Sequence, residues 1–315
     1  MTAMPLIYLR LPNWLGDVCM CLPVLEAFLA RNYQVVVCAR PWARPLLSGY
    51  ALQGFIPITG KWWHDANTMK KYIKTHQKNA TNITALSLPD SLSSALIFKL
   101  AGIKAAGYKD DGRSWLLKWP ITKPKQPLHA VESWYYLAYE ASKIWQNPIA
   151  PKPPRSLHLA GVPDSNPQKF NLDESNGKKN ILIAPTAVGL HRGKVKVWPY
   201  YEALTQKLKQ QNYNVYMCPP PNEVAEAERN APSAIRLAPL PLTSFAQLCK
   251  SVDLVVCNDS GVSHLAATVN AAQITLIGVT DATHTGPWSD QAECLGENGA
   301  WPSLQAVLKR IHERS

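Results

Sequence analysis

The sequence predicts an α/β protein of two Rossmann-like domains facing each other across a cleft, and three observations predict it. Apolar, strand-like runs alternate with helical segments over all 315 residues, more chain than one typical domain uses. Each half holds a strand that breaks into a polar turn and re-emerges as a helix, the unit that opens a Rossmann-like fold. A stretch rich in proline and polar residues separates the halves.

Leu6 to Leu11 reads as the first strand, Asn13 to Gly16 as a tight loop, and Val18 to Arg31 as a helix with an apolar face. Further strands are expected at Gln34 to Ala39, Phe55 to Ile58 and Ile83 to Leu88, with helices at Ser91 to Ala101 and His129 to Lys143. These make a first domain over 1–150. The connection, 151–179, contains Pro151, Pro153, Pro154, Pro163 and Pro167. A second domain over 180–302 begins with strand Asn180 to Pro185, helix Tyr200 to Gln211 and strand Asn214 to Cys218. Helices Glu223 to Asn230 and Ser244 to Ser251 follow, then the run from Leu254 to Ala267 and strand Ile274 to Val279. The last segment, 303–315, reads as an amphipathic helix.

Hydrophobic residues make up 46% of the chain and charged residues 17%, which predicts a folded protein without long disordered tails. No run reaches the roughly 18 apolar residues of a membrane span, and the N-terminus lacks a secretory signal pattern, so a cytoplasmic protein is expected. The seven cysteines are odd in number, scattered and without a C-x-x-C pair, which argues for reduced thiols. A net charge of +11 suits nucleic acid, an anionic membrane surface or phosphorylated substrates. Lys61, Lys70, Lys71, Lys74, Lys78, Lys104, Lys109, Arg113, Lys118, Lys123 and Lys125 are interleaved with Trp62, Trp63, Trp115 and Trp119. Basic residues beside tryptophans fit an interface over acidic headgroups as well as a nucleic-acid groove.

The segment Leu254-Val255-Val256-Cys257-Asn258-Asp259-Ser260-Gly261-Val262-Ser263-His264 carries the strongest chemical signal. Val255 and Val256 suit a sheet strand, Ser260 suits a cap, and the free amides of the next helix would face an anion such as phosphate. An ordinary capped turn has the same residues. In the first loop, Asp17 is either a helix cap or a carboxylate able to take a proton from a hydroxyl nucleophile. The single Gly16 is no G-x-G-x-x-G fingerprint, which argues against ordinary NAD binding. Thr186 ends a strand, and Arg192, Lys194 and Lys196 follow before Trp198-Pro199, a pattern suited to a diphosphate. Glu223 stands beyond a second strand, where a Rossmann half offers an acid to ribose hydroxyls.

Taken in order, four segments resemble the bacterial lipopolysaccharide heptosyltransferases of glycosyltransferase family 9. They are Asn13-Trp14-Leu15-Gly16-Asp17, Asp90-Ser91-Leu92-Ser93-Ser94-Ala95-Leu96 with Ala101-Gly102-Ile103, Lys196-Val197-Trp198-Pro199, and Asn258 to His264. Trp14 and the Ser-Leu-Ser-Ser-Ala-Leu segment are closer to the heptosyltransferase II branch. Asn13 stands where the family commonly has serine, and the cysteine-containing stretch near the C-terminus is reduced to Glu293-Cys294-Leu295-Gly296.

The resemblance implies a GT-B fold with acceptor contacts in the N-terminal domain and ADP-heptose held mainly by the C-terminal one. It implies inverting transfer of heptose from ADP-L-glycero-D-manno-heptose to the lipopolysaccharide inner core, with no metal and no cofactor beyond the donor. Asp17 would be the general base, and Thr186 and Lys196 would hold the diphosphate. Glu223 would take the ribose, the Leu240 backbone the adenine edge, and Asp259 the sugar hydroxyls. Ser260, Gly261 and Val262 would present amides to the phosphates, with His264 supporting the loop or the sugar. Asn13, Trp14, Lys61 and Arg113 are the acceptor-side candidates. The implied partners are an anionic lipid A-core glycolipid and the inner face of a Gram-negative inner membrane, without nucleic acid. Heptosylation of a protein, or binding of a nucleotide sugar without catalysis, are the competing expectations.

Overall fold

The structure, a computed structural model, describes residues 4–77, 83–173, 177–191 and 193–314; Lys78 and Arg192 lie outside the described residues. The chain divides into two compact units, Met1–Pro154 and Arg155–Ser315.

The first unit runs β1 (Leu6–Arg10), α1 (Leu15–Met20), α2 (Leu22–Ala30), β2 (Gln34–Ala39), α3 (Ala43–Leu46), β3 (Gly54–Pro57) and α4 (Trp62–His76). It continues with β4 (Ile83–Ser87), α5 (Leu92–Ala101), β5 (Lys104–Tyr108), β6 (Trp119–Ile121) and α6 (Ala130–Ile144). All six strands are parallel in the order β3-β2-β1-β4-β5-β6. The central strands β1 and β2 are covered on both faces and read as near-continuous apolar runs, LIYLR and QVVVCA. Leu6, Tyr8, Val36 and Cys38 point to one face, where Met69 of α4 and Ala95 and Phe98 of α5 close a core. The expected single helix from Val18 to Arg31 is instead two. It begins earlier, at Leu15, and breaks at Cys21, because Pro23 has no N–H and fits only the first turn of a new helix.

The second unit repeats the plan with β7 (Asn180–Ala184), β8 (Leu190–His191), β9 (Lys194–Val195), α7 (Tyr201–Gln210), β10 (Asn214–Met217), α8 (Val224–Asn230) and β11 (Ile235–Arg236). Then come α9 (Leu242–Ser251), β12 (Leu254–Asn258), α10 (Gly261–Thr268), β13 (Gln273–Leu276), α11 (Ala282–Thr285), β14 (Ala292–Leu295) and α12 (Leu304–Arg314). Its six strands are also parallel, in the order β11-β10-β7-β12-β13-β14. The antiparallel ribbon β8–β9 stands apart, with Gly189 at positive φ just before β8 and Gly193 at positive φ just before β9.

Residues expected to act only as a connector are docked on this unit. Leu157, Leu159, Phe170 and Leu172 are buried, the Leu159 N–H donates to the Thr268 carbonyl at 3.1 Å, and the Asn166 N–H donates to Ser251 Oγ at 2.9 Å. Their apolar side chains give the segment a surface to bury, which its prolines conceal in the sequence. The terminal helix α12 likewise belongs to the core, where Val307 and Ile311 pack with Leu204 and Leu208 of α7.

Candidate functional site

In each sheet the strand order reverses direction between the two central strands, β1 and β4 in the first unit and β7 and β12 in the second. Connections leave such neighbours toward opposite faces and open a crevice beyond their carboxyl ends. Asn13, Trp14 and Asp17 follow β1, and Thr186 and Asp259 to His264 follow β7 and β12, at these two places.

In the second unit β7 and β12 remain paired to the register Cys257↔Ala184 and then part. Asn258, wholly buried, follows at the end of β12. Its Nδ2 donates to the carbonyls of Ala184 and Thr186, each at 3.2 Å, and its Oδ1 accepts the Trp198 N–H at 2.9 Å. Trp198 is buried and donates its Nε1 to the Pro302 carbonyl at 2.8 Å, so the segment carrying Lys196 ends on a fixed point. Lys196 itself is half-buried just after β9.

The Asp259–Val262 turn lies beside this hub. Ser260 has extended backbone and caps α10, its Oγ accepting the Val262 N–H at 3.4 Å while its carbonyl accepts from Ser263 Oγ at 2.8 Å. Gly261 and Val262, both half-buried, form the first turn of the helix, whose amides and dipole favour an anion. Asp259 and His264 are both buried, with His264 Nε2 3.9 Å from Asp259 Oδ1. Across the crevice the Thr186 hydroxyl donates to Glu223 Oε2, which sits at the N-cap of α8 beyond β10. Leu240 is half-buried between β11 and α9, in a loop tied to β10 by Cys218 Sγ donating to the Ala238 carbonyl at 3.3 Å.

The strand order thus sets out the candidates along one sheet edge: Asp259 and Ser260 beyond β12, Thr186 beyond β7, Glu223 beyond β10, Leu240 beyond β11. Neighbouring strands stand about 4.8 Å apart, so the row spans roughly 14 Å. Sugar, diphosphate, ribose and adenine follow one another in that order in an ADP-sugar.

In the first unit Trp14 is the N-cap of α1 and is 69% exposed, which puts half-buried Asp17 in the first helical turn. Asn13 is exposed, yet its Oδ1 accepts from Arg10 Nη2 at 2.7 Å. Arg10 closes β1 and also donates to the Leu11 carbonyl. Burial lowers its guanidinium pKa to about 10. Lys61 is exposed at the N-cap of α4, behind a turn that buried Asp65 holds by accepting from the Thr59 N–H at 2.8 Å and the Gly60 N–H at 2.9 Å.

Arg113 does not join these surface groups. It is 0% exposed and donates to the Pro89 carbonyl at 2.7 Å and the Tyr108 carbonyl at 2.5 Å, with Asp90 at 3.4 Å. Its place in a basic, tryptophan-rich stretch suggests an acceptor contact, but the carbonyls left at the ends of β4 and β5 need a donor and Arg113 supplies it. Two residues that the sequence reading assigned no role, Asn258 and Arg10, are the ones tying the site loops together. Their signal is the same: one polar side chain ending an otherwise apolar strand.

Residues 73–310 match the model of glycosyltransferase family 9 (heptosyltransferase). Lipooligosaccharide heptosyltransferase 2 of Haemophilus influenzae is 28% identical over 306 residues, covering 90% of this chain and 86% of that protein. Lipopolysaccharide heptosyltransferase 2 of Escherichia coli is 27% identical over 305 residues, with the same coverage of 90% and 86%. Among solved structures, E. coli ADP-heptose lps heptosyltransferase II superposes with a TM-score of 0.74 at 24% identity, covering 99% of this chain and 98% of that one. An E. coli heptosyltransferase with ADP superposes at 0.76 and 20% identity, covering 98% and 100%. These likenesses establish the GT-B fold of two Rossmann-like units. The chain belongs to glycosyltransferase family 9 (heptosyltransferase) and is a glycosyltransferase.

Proposed function

We propose that this protein transfers heptose, with inversion, from ADP-L-glycero-D-manno-heptose to the lipopolysaccharide inner core, onto a lipid A-Kdo or heptosyl-Kdo acceptor. The observation that carries the proposal is the row Asp259–Ser260, Thr186, Glu223 and Leu240, which follows the order of groups in an ADP-sugar. The names of its relatives, heptosyltransferases of lipooligosaccharide and lipopolysaccharide, supply the sugar and the acceptor class.

In the proposed reaction an acceptor hydroxyl oxygen attacks the anomeric carbon as the bond from that carbon to the ADP oxygen breaks. Asp17 takes the hydroxyl proton, and ADP leaves with the bonding pair. Positive charge grows on the sugar in an oxocarbenium-like transition state and negative charge on the diphosphate. Lys196 and the Ser260 and Gly261 amides face the second, the Val262 amide being taken up by Ser260 Oγ, and Asp259 the sugar hydroxyls, with His264 bracing Asp259. Fixed donors aimed at charge that develops only during reaction stabilise the transition state more than the ground state.

The acceptor is an anionic glycolipid, and we place the enzyme at the cytoplasmic face of the inner membrane as a peripheral protein. Among the described residues no helix is long and apolar enough to cross a membrane. Trp14, Trp62, Trp63 and Trp115 are exposed large apolar side chains in a chain of net charge +11, a pairing suited to anionic headgroups.

Mass-spectrometric detection of heptose transfer from ADP-heptose to purified core acceptors of different lengths tests the activity. Transfer to a protein instead, or tight ADP-heptose binding with no transfer to any acceptor, overturns the lipopolysaccharide assignment. Sedimentation with anionic vesicles, reversed by salt, tests the location; a gel shift with generic DNA at physiological salt is expected to be blank.

A further inference from the structure

We propose that Asn258 is a positioning residue for the donor site: its carboxamide sets the segments bearing Thr186 and Lys196 against the Asp259–Val262 turn, so stabilisation of the leaving diphosphate depends on it. The inference rests on the donor-site reading above.

The geometry leaves the amide one role. Beyond the last register pair of β7 and β12 the backbones separate, and no ladder bond can fix one against the other. Asn258 replaces the ladder there with side-chain bonds: two from Nδ2 to the Ala184 and Thr186 carbonyls and one from the Trp198 N–H to Oδ1. An N–H must meet the oxygen and two carbonyls must meet the NH2, so the surroundings determine the orientation of the amide. All three partners are backbone groups, and they lie on the segments whose side chains the donor requires. Thr186 is held at its own carbonyl, Lys196 stands two residues before Trp198, and Asp259 is the next residue of the chain.

No other side chain of this size meets the demand. An aspartate accepts but cannot donate while ionised, and a leucine does neither. Complete burial means that water does not stand in for the missing bonds. The sheet and its helices are built from register pairs and apolar contacts that do not include this amide, so its loss falls on the loops beyond the strands.

The test compares Asn258→Ser and Asn258→Asp with Thr186→Ala, Lys196→Ala and the double variant Asn258→Ser/Lys196→Ala, all in the full-length enzyme. Folding is checked by near-ultraviolet circular dichroism, donor kinetics are measured with ADP-heptose, and affinity with ADP by calorimetry. Asn258→Ser is expected to fold and to lose about ten- to a hundredfold in kcat/KM for the donor, with the acceptor KM unchanged. Because Asn258 acts through Lys196, the double variant is expected to be little worse than the poorer single one. Where Asn258→Asp is unstable, Asn258→Ser decides alone. A folded Asn258→Ser enzyme with wild-type donor kinetics, or losses that simply add in the double variant, overturns the proposal. If Thr186→Ala and Lys196→Ala both leave ADP affinity and turnover intact, the donor-site reading itself fails, and Asn258 has no site to position.

Discussion

The Thr186 hydroxyl donates to the Glu223 carboxylate at 2.5 Å, joining the loop beyond β7 to the N-cap of α8 beyond β10. Under the donor-site reading these are the diphosphate and ribose contacts, and the bond holds both in place before any nucleotide arrives. Thr186→Val keeps the shape and deletes the bond. A hydrogen bond to a charged group contributes about 1.5–3 kcal/mol, so ADP affinity is expected to fall roughly ten- to a hundredfold by calorimetry. Glu223→Ala removes the same bond together with the proposed ribose contact, so ADP affinity should fall more than the affinity for inorganic pyrophosphate, which has no ribose. Equal losses for the two ligands would remove Glu223 from the ribose.

Asp17 presents a sharper kinetic test. It stands in the first turn of α1, where a carboxylate is also favoured by the helix dipole, so a structural and a chemical role must be separated. The N-cap of α1 is Trp14 and not Asp17, so Asp17→Asn keeps the size of the side chain and removes the base and the charge. General base catalysis typically supplies about 10²–10⁴ in rate, and kcat is expected to fall by that factor with ADP-heptose affinity retained. Retained kcat with lowered thermal stability would assign Asp17 to the helix alone.

Arg113 and Lys61, both candidates for the acceptor, should behave in opposite ways. Arg113 is buried and satisfies the Pro89 and Tyr108 carbonyls, so Arg113→Ala strands two acceptors and is expected to cost about 3 kcal/mol or more of stability in denaturant unfolding. Lys61→Ala removes an exposed cation and should leave the unfolding midpoint in place while raising the KM for the anionic acceptor. A stable Arg113→Ala protein with a specific acceptor defect would return Arg113 to the acceptor site.

These contrasts mark where sequence reading succeeds and where it stops. Strand and helix periodicity locate β1, β2, β7, β10 and β12 within a residue or two, because apolar runs bounded by turns are local signals. The capped turn at Ser260 is equally local. Arg113 is different: its partners are 24 and 5 residues away, and only the folded sheet reveals that the carbonyls at its edge lack donors. Asn258 lies inside the motif, but its three bonds reach 60 to 74 residues along the chain. The strands β5, β6, β11 and β14 are likewise illegible, since none of them places two strong strand formers side by side.

The thiols offer a test of the core itself. Of the seven cysteines, six are buried and Cys294 is half-buried. Burial raises the Cys218 and Cys294 thiols to about 11 and the Cys38 and Cys257 thiols to about 12. At pH 8 a thiol with a pKa near 11 is only about 0.1% thiolate, so reaction with a thiol reagent should be slow in the native protein. Cys294 is expected to label first and the others only on denaturation. Rapid native labelling of Cys257 would mean that the sheet beneath the donor loop opens.

Glu202 gives a pH dependence whose sign follows from its surroundings. Partial burial pushes its carboxyl up, but the Ser233 hydroxyl at 2.6 Å, the Ser233 N–H at 3.1 Å and Gln206 Nε2 at 2.7 Å all donate to the ionised form. The net result is a pKa below its ordinary 4.5. A carboxyl lowered on folding stabilises the protein fully above the unfolded value and progressively less as pH falls through the folded one. Glu202 should therefore contribute at pH 7 and lose its contribution below about pH 4.5. Glu202→Gln should lower stability at neutral pH and flatten the acid limb of a stability-against-pH curve. Parallel curves for the variant and the wild type would show that the Ser233 contacts do not favour the carboxylate over the acid.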